Sequence, residues 1–208
     1  GTTPEQLDAG IHVDGWDHVE KGLADGRGVI LALPHLGCWE WAGFWAAASK
    51  RVPITVVVES LEPRDVYEWF VALREALGMD VVPLGPDVGG AVLGALRGNH
   101  VLCLLCDRDL GGGGVEVEFF GERTTLPAGP ATLGLRTGAP VLPAAVFYGG
   151  PKTRLGVGRP PLDTARTGRL RDDVARVTQD LAHELEGLVR RAPEQWHLLQ
   201  PNWPSDRT

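Results

Sequence analysis

Val29-Ile30-Leu31-Ala32-Leu33-Pro34-His35-Leu36-Gly37-Cys38-Trp39-Glu40-Trp41 is the stretch on which the fold turns. Its first five residues form a continuous apolar run, the pattern of a strand covered on both faces. Pro34 and Gly37 break that run, and the alanines and tryptophans from Gly37 to Ser49 read as a buried helix. His35 then stands at the carboxyl end of a strand, with Glu40 in the first turn of the next helix. Open α/β sheets hold their ligands at such strand ends. Histidine, with an unperturbed pKa of about 6.5, is the natural proton acceptor near neutral pH. The alternative is a structural histidine that caps the helix. Glu40 also has two readings: it orients the imidazole, or it is a carboxylate favoured by the helix dipole.

The same alternation continues on both sides. Val13 to Ala24 has helical periodicity with Asp14 as a cap, and Gly26-Arg27-Gly28 ends it. Ile54 to Val58 is a β-branched strand, followed by a helix from Pro63 to Leu77 that stops at Gly78. Strands are expected at 81–84, 101–105, 115–119, 141–148 and 154–157, and helices at 88–97 and 129–136. The longest helix, 170–190, places Val174, Val177, Leu181, Leu185 and Leu188 at three- and four-residue steps. Trp196-His197-Leu198-Leu199-Gln200 is too apolar for a free end and is expected to dock on the core. The pattern predicts one α/β domain over 1–208 around a largely parallel sheet.

With 208 residues, the chain can remove about 70% of its unfolded surface from water. A net charge of −7 disfavours nucleic acid as a partner. Only Lys21, Lys50 and Lys152 are lysines among 20 basic residues. That bias reads as GC-rich coding, or as fixed forks for phosphate. Three cysteines make no disulfide framework and suggest a reducing compartment. Cys103 and Cys106 lie three apart in an apolar run, so on a strand they face opposite ways and read as core residues. No apolar run reaches the roughly 18 residues of a spanning helix.

Asp107-Arg108-Asp109 follows one strand and Glu59 another, so these acids would share the crevice of His35 or cap polar loops. Arg74, on a helix, alone reads as a solvated residue. There is no G-x-S-x-G elbow, no Walker loop behind Gly111 to Gly114, and no zinc-ligand spacing. A base with acids and arginines, but no protein nucleophile, suits direct attack by a substrate hydroxyl on an activated acyl group.

His35-Leu36-Gly37-Cys38-Trp39-Glu40 resembles the H-x-x-x-x-[D/E] box of glycerolipid-type acyltransferases. Leu73 to Gly78, Leu105 to Leu110, Val115 to Gly121, Leu126 to Ala131 and Trp196 to Pro201 extend the likeness along nearly the whole chain. Together they resemble the lipid A biosynthesis branch, and within it the actinobacterial phosphatidylinositol mannoside acyltransferases. The resemblance implies a three-layer αβα sandwich. It implies transfer of a palmitoyl-like group from acyl-CoA, as co-substrate, to a mannose hydroxyl of a phosphatidylinositol mannoside. It implies no metal or bound cofactor, and a peripheral enzyme on the cytoplasmic face of the plasma membrane. An amino-terminal membrane-associated segment would precede this chain. His35 would be the general base, Asp107 its orienting carboxylate, and Glu40 a supporting acid. Glu59, Arg74 and Arg108 would bind substrate.

The chain departs from that pattern. The mannoside enzymes carry aspartate at the Glu40 position and glutamate at the Asp107 position, so either acid is a candidate partner for His35. Cys38 stands where asparagine is usual. Other expected outcomes are acylation of a lipid A precursor or lysophosphatidate, thioester hydrolysis, or binding without catalysis. Phe119, Phe120, Trp39, Trp41 and Trp45 are candidates for an acyl groove. Arg154, Arg159, Arg166, Arg169 and Arg171 are candidates for a basic membrane-facing surface, since a charge of −7 does not by itself favour an anionic membrane.

Overall fold

The structure, a computed structural model, describes residues 3–59 and 62–207. Among them the strands are β1 (Ile11–Asp14), β2 (Val29–Leu33), β3 (Ile54–Val58), β4 (Met79–Pro83), β5 (Val101–Leu105), β6 (Val115–Phe119), β7 (Glu122–Leu126), β8 (Val141–Gly150) and β9 (Thr153–Gly158). The α-helices are α1 (Pro4–Ala9), α2 (Trp16–Ala24), α3 (Trp39–Ala48), α4 (Arg64–Ala76), α5 (Val88–Arg97), α6 (Gly129–Thr137) and α7 (Leu170–Val189). The strands β1, β9, β8, β2, β5, β3 and β4 form one sheet in that order, and β6–β7 is a separate hairpin. Every neighbouring pair in the sheet is parallel except β8–β9.

Period-two alternation divides the core into the two layers expected of a three-layer sandwich. Val29, Ile54, Val101 and Leu142 pack with Leu7 of α1, Val19 of α2 and Trp45 of α3. Ile30, Ala32, Leu102 and Val141 turn to the other face, against Val92 and Leu96 of α5 and Leu181, Leu185 and Leu188 of α7. Each fully buried aliphatic side chain contributes about 1.5–3 kcal/mol. Packing of this kind, rather than propensity, holds helices of this length.

Two readings change. Val13 and Asp14 belong to β1, not to a helix, because β1 gains a full parallel register with β9 from Ile11↔Arg154 to Asp14↔Val157. The helix starts after Gly15, whose φ is +80° and where an added Cβ would sit 2.2 Å from the Gly158 carbonyl oxygen. The strand β7 is not signalled by the sequence pattern, because its turn, Phe120-Gly121, has positive φ at both positions and phenylalanine rarely takes that conformation.

Candidate active site

β2 and β5 are adjacent and parallel, in register from Val29↔Val101 to Leu33↔Leu105. Residues two beyond each strand are therefore level, and these are His35 and Asp107. Asp107 is fully buried, and its carboxylate accepts three hydrogen bonds. Oδ1 lies 2.6 Å from His35 Nδ1. Oδ2 accepts from the His35 backbone amide at 2.8 Å and from Trp196 Nε1 at 2.8 Å. Burial by itself would raise the Asp107 carboxyl. The hydrogen bonds and charge of His35, with the Trp196 indole, overcome this and hold it below the ordinary carboxylate range. With Nδ1–H donated to Asp107, the free lone pair of the neutral imidazole is on Nε2.

The carboxyl-terminal tail builds the other wall. His197 donates its backbone amide to the His35 carbonyl at 2.7 Å, and Asn202 Nδ2 donates to the Asp107 carbonyl at 3.1 Å. Trp39 meets His35 edge-on at 5.7 Å and His197 at 5.8 Å. The docking of the tail was legible in its apolar composition. The direct bonds of Trp196 and Asn202 to Asp107 were not, since 89 and 95 residues separate the partners.

Gly37 fixes the entry to α3. Its φ is +65°, it bridges Val146 of β8, and an added Cβ would lie 2.0 Å from the Val146 carbonyl oxygen. Gly37→Ala is expected to cost at least about 3 kcal/mol, because left-handed strain and a backbone clash combine. Chemical denaturation would check this; a loss below about 1 kcal/mol would contradict the rigidity of the turn.

The other predicted residues fall into two ion pairs. Glu40 pairs with Arg74 of α4, through Arg74 Nη2 and, at 3.2 Å, Nε. Among the described residues no hydrogen bond joins Glu40 to His35. Arg74 is thus half-buried and partnered rather than a solvated helix residue. Glu59 pairs with Arg108, which also donates to Gln200. These pairs brace the carboxyl ends of β3 and β5 and the first turn of α3.

Beneath α3 runs an apolar cavity with about 990 Å³ of empty space, counting its open mouth. Its lining includes Leu33, Trp39, Glu40 and Arg74 at the His35 edge and Ile54, Met79 and Val101 at the opposite strand ends. Trp39 and Trp45 line it, but Trp41, Phe119 and Phe120 do not. The phenylalanines instead pack with Trp196 and Trp203. Cys103 lines the cavity, and burial pushes its thiol up to about 12. Cys106 is buried in the opposite core layer. Arg159 and Arg166 are paired with Glu184 and Asp173, so the arginines from 154 to 171 do not form one free basic face. Among the described residues no helix is long and apolar enough to cross a membrane.

The family model described as bacterial lipid A biosynthesis acyltransferase matches residues 2–205. A phosphatidylinositol mannoside acyltransferase of Mycobacterium tuberculosis (strain ATCC 25618 / H37Rv) is 42% identical over 197 residues, covering 93% of this chain and 60% of that protein. One from Mycolicibacterium smegmatis (strain ATCC 700084 / mc(2)155) is 41% identical over 209 residues, covering 99% of this chain and 65% of that protein. The chain thus spans less than two thirds of the length of these relatives. The family match along nearly its whole length, on the fold and strand-end histidine just described, makes this chain a member of the bacterial lipid A biosynthesis acyltransferase family.

Proposed function

We propose that the protein transfers a fatty acyl group from acyl-CoA to a mannose hydroxyl of a phosphatidylinositol mannoside. The observation that carries this reading is the His35–Asp107 pair, with His35 packed against Trp39 where that side chain lines the apolar cavity. The acyl chain lies under α3 with its thioester at the mouth. His35 Nε2 takes the proton of the acceptor hydroxyl, and Asp107 stabilises the resulting imidazolium. The hydroxyl oxygen attacks the thioester carbonyl, the tetrahedral intermediate collapses, and the departing thiolate takes the proton back. The oxyanion of the tetrahedral intermediate is met by the α3 first-turn amides of Trp39 and Glu40, which have no side-chain cap from Cys38. Glu40, Glu59, Arg74 and Arg108 hold the rim that receives the substrates. The lipid acceptor places the work at a membrane surface, on the cytoplasmic side where acyl-CoA is made.

Palmitoyl-CoA offered with a phosphatidylinositol mannoside, lysophosphatidate, a lipid A precursor or water alone tests the reading. The mannoside is expected to be the preferred acceptor. Hydrolysis that no acceptor diverts would instead identify a thioesterase. The cavity makes a separate prediction. Ala46 is buried on α3 near the end of the cavity far from His35. Ala46→Phe is expected to lower kcat/KM for palmitoyl-CoA by roughly tenfold or more and to spare octanoyl-CoA. An equal loss on both donors would place the acyl chain elsewhere.

A further inference from the structure

Arg154 is the exception among the partly buried arginines whose side chains are described. Arg74, Arg108 and Arg176 each meet at least one carboxylate. The Arg154 guanidinium meets none among the described residues; its Nε, like those of Arg108 and Arg176, is buried without a hydrogen-bond partner. Its guanidinium carbon lies over Trp41, 4.0 Å from the ring centroid, and Trp41 Nε1 is a second buried donor without an acceptor. The thiol of Cys38 is beside the guanidinium and shares a side-chain hydrogen bond with it, but burial raises that thiol against the pull of Arg154, so the partner is neutral and supplies no counter-charge. A partly buried cation without a counter-charge is costly, and so is a buried donor without an acceptor.

The place matters as much as the charge. Gly37 bridges Val146, and Cys38 donates its backbone amide to the Val146 carbonyl at 2.9 Å. Arg154 pairs with Tyr148, two residues further toward the carboxyl end of β8. It therefore stands at the same end of the sheet as His35, on the β9 side. An arginine fork held over an aromatic ring is preorganised for the oxygens of a phosphate.

We propose that Arg154 and Trp41 form an anion site for a substrate phosphate ester or diester, on the β8–β9 side of the His35 crevice. Assigning that phosphate to a substrate of acyl transfer rests on the function proposed above; the anion site does not. Two sources share the chemistry: the nucleotide phosphates of acyl-CoA, and the phosphodiester of the inositol lipid.

Calorimetric titration of the full-length protein with adenosine 3′,5′-bisphosphate and with glycerophosphoinositol separates them. One probe is expected to bind, at least tenfold more weakly to Arg154→Gln and at intermediate strength to Arg154→Lys. Trp41→Phe, which keeps the ring face but removes its N–H, is expected to weaken it by a smaller factor. Matched kinetics should show KM for the corresponding substrate raised about tenfold in Arg154→Gln, with kcat within about threefold. Melting curves of all variants, with Arg154→Lys keeping the charge, show whether a loss is one of folding. The proposal is overturned if neither probe binds the parent protein, or if both bind folded Arg154→Gln as tightly. Arg154-dependent binding without acyl transfer would retain the site and remove the proposed function. Acyl transfer with no Arg154-dependent binding would do the reverse.

Discussion

A His35→Ala enzyme is expected to transfer acyl groups about 10²–10⁴-fold more slowly than its parent while keeping its fold. The imidazole stands against Trp39 of the cavity lining with its Nδ1 held by a buried carboxylate, which leaves Nε2 to accept a proton. Its removal does not disturb the bonds that place the backbone here. Asp107 still accepts from the His35 amide and from Trp196, and His197 still donates to the residue 35 carbonyl. The stability loss should therefore stay near the 1–3 kcal/mol of a buried group that loses one partner. Product formation followed by mass spectrometry, beside near-ultraviolet dichroism and a melting curve, checks both halves. Activity within tenfold of the parent would remove His35 from the reaction.

Asp107→Asn should come close to that loss, by another route. Three donors converge on two carboxylate oxygens at a position with no exposure. An amide supplies one acceptor oxygen and one NH₂ group. With the oxygen on the Trp196 side, the NH₂ faces Nδ1 and forces the imidazole proton to Nε2, where it blocks proton transfer. With the oxygen on the His35 side, the NH₂ opposes the Trp196 indole and the backbone amide. The expected outcome is a kcat at least about 10²-fold lower, with about 1–3 kcal/mol lost in stability. Glu40→Gln should cost less than about tenfold, because that acid serves Arg74. Reversed magnitudes would make Glu40 the partner of the base. The pH dependence follows from the depressed Asp107 carboxyl. Its contribution to stability is complete above the unfolded value near ~4 and is lost as pH falls through the lower folded value. A kcat limb that titrates above pH ~5 would thus belong to another group.

Much of this was legible locally. The apolar runs of β2 and β5, the glycine of the turn and the punctuation of α4, α5 and α6 are properties of neighbouring residues, and all appear where the pattern places them. His35 at a strand end needed only the stretch from 29 to 41. Short elements were the weak point. The helix α1 and strand β1 are too brief for periodicity to separate from their surroundings, and β1 is defined by its pairing with β9.

What the local pattern did not contain was which strands are neighbours. Glu40, Glu59 and Asp107 all follow strands or open helices near His35, and proximity along the chain favours Glu40. The sheet order decides otherwise. Placing β5 directly beside β2 sets Asp107 level with His35, while β3 lies one strand further away and α4 carries Arg74 to Glu40. The same packing brings Trp196 and Asn202 to Asp107 and leaves Arg154 over Trp41 without a counter-charge. Side-chain periodicity is set by steric rules acting over a few residues, so the sequence alone determined the elements and the candidate base. Strand order and tail docking are set by the burial of faces that only meet in the folded chain, so the tertiary structure decided its partners.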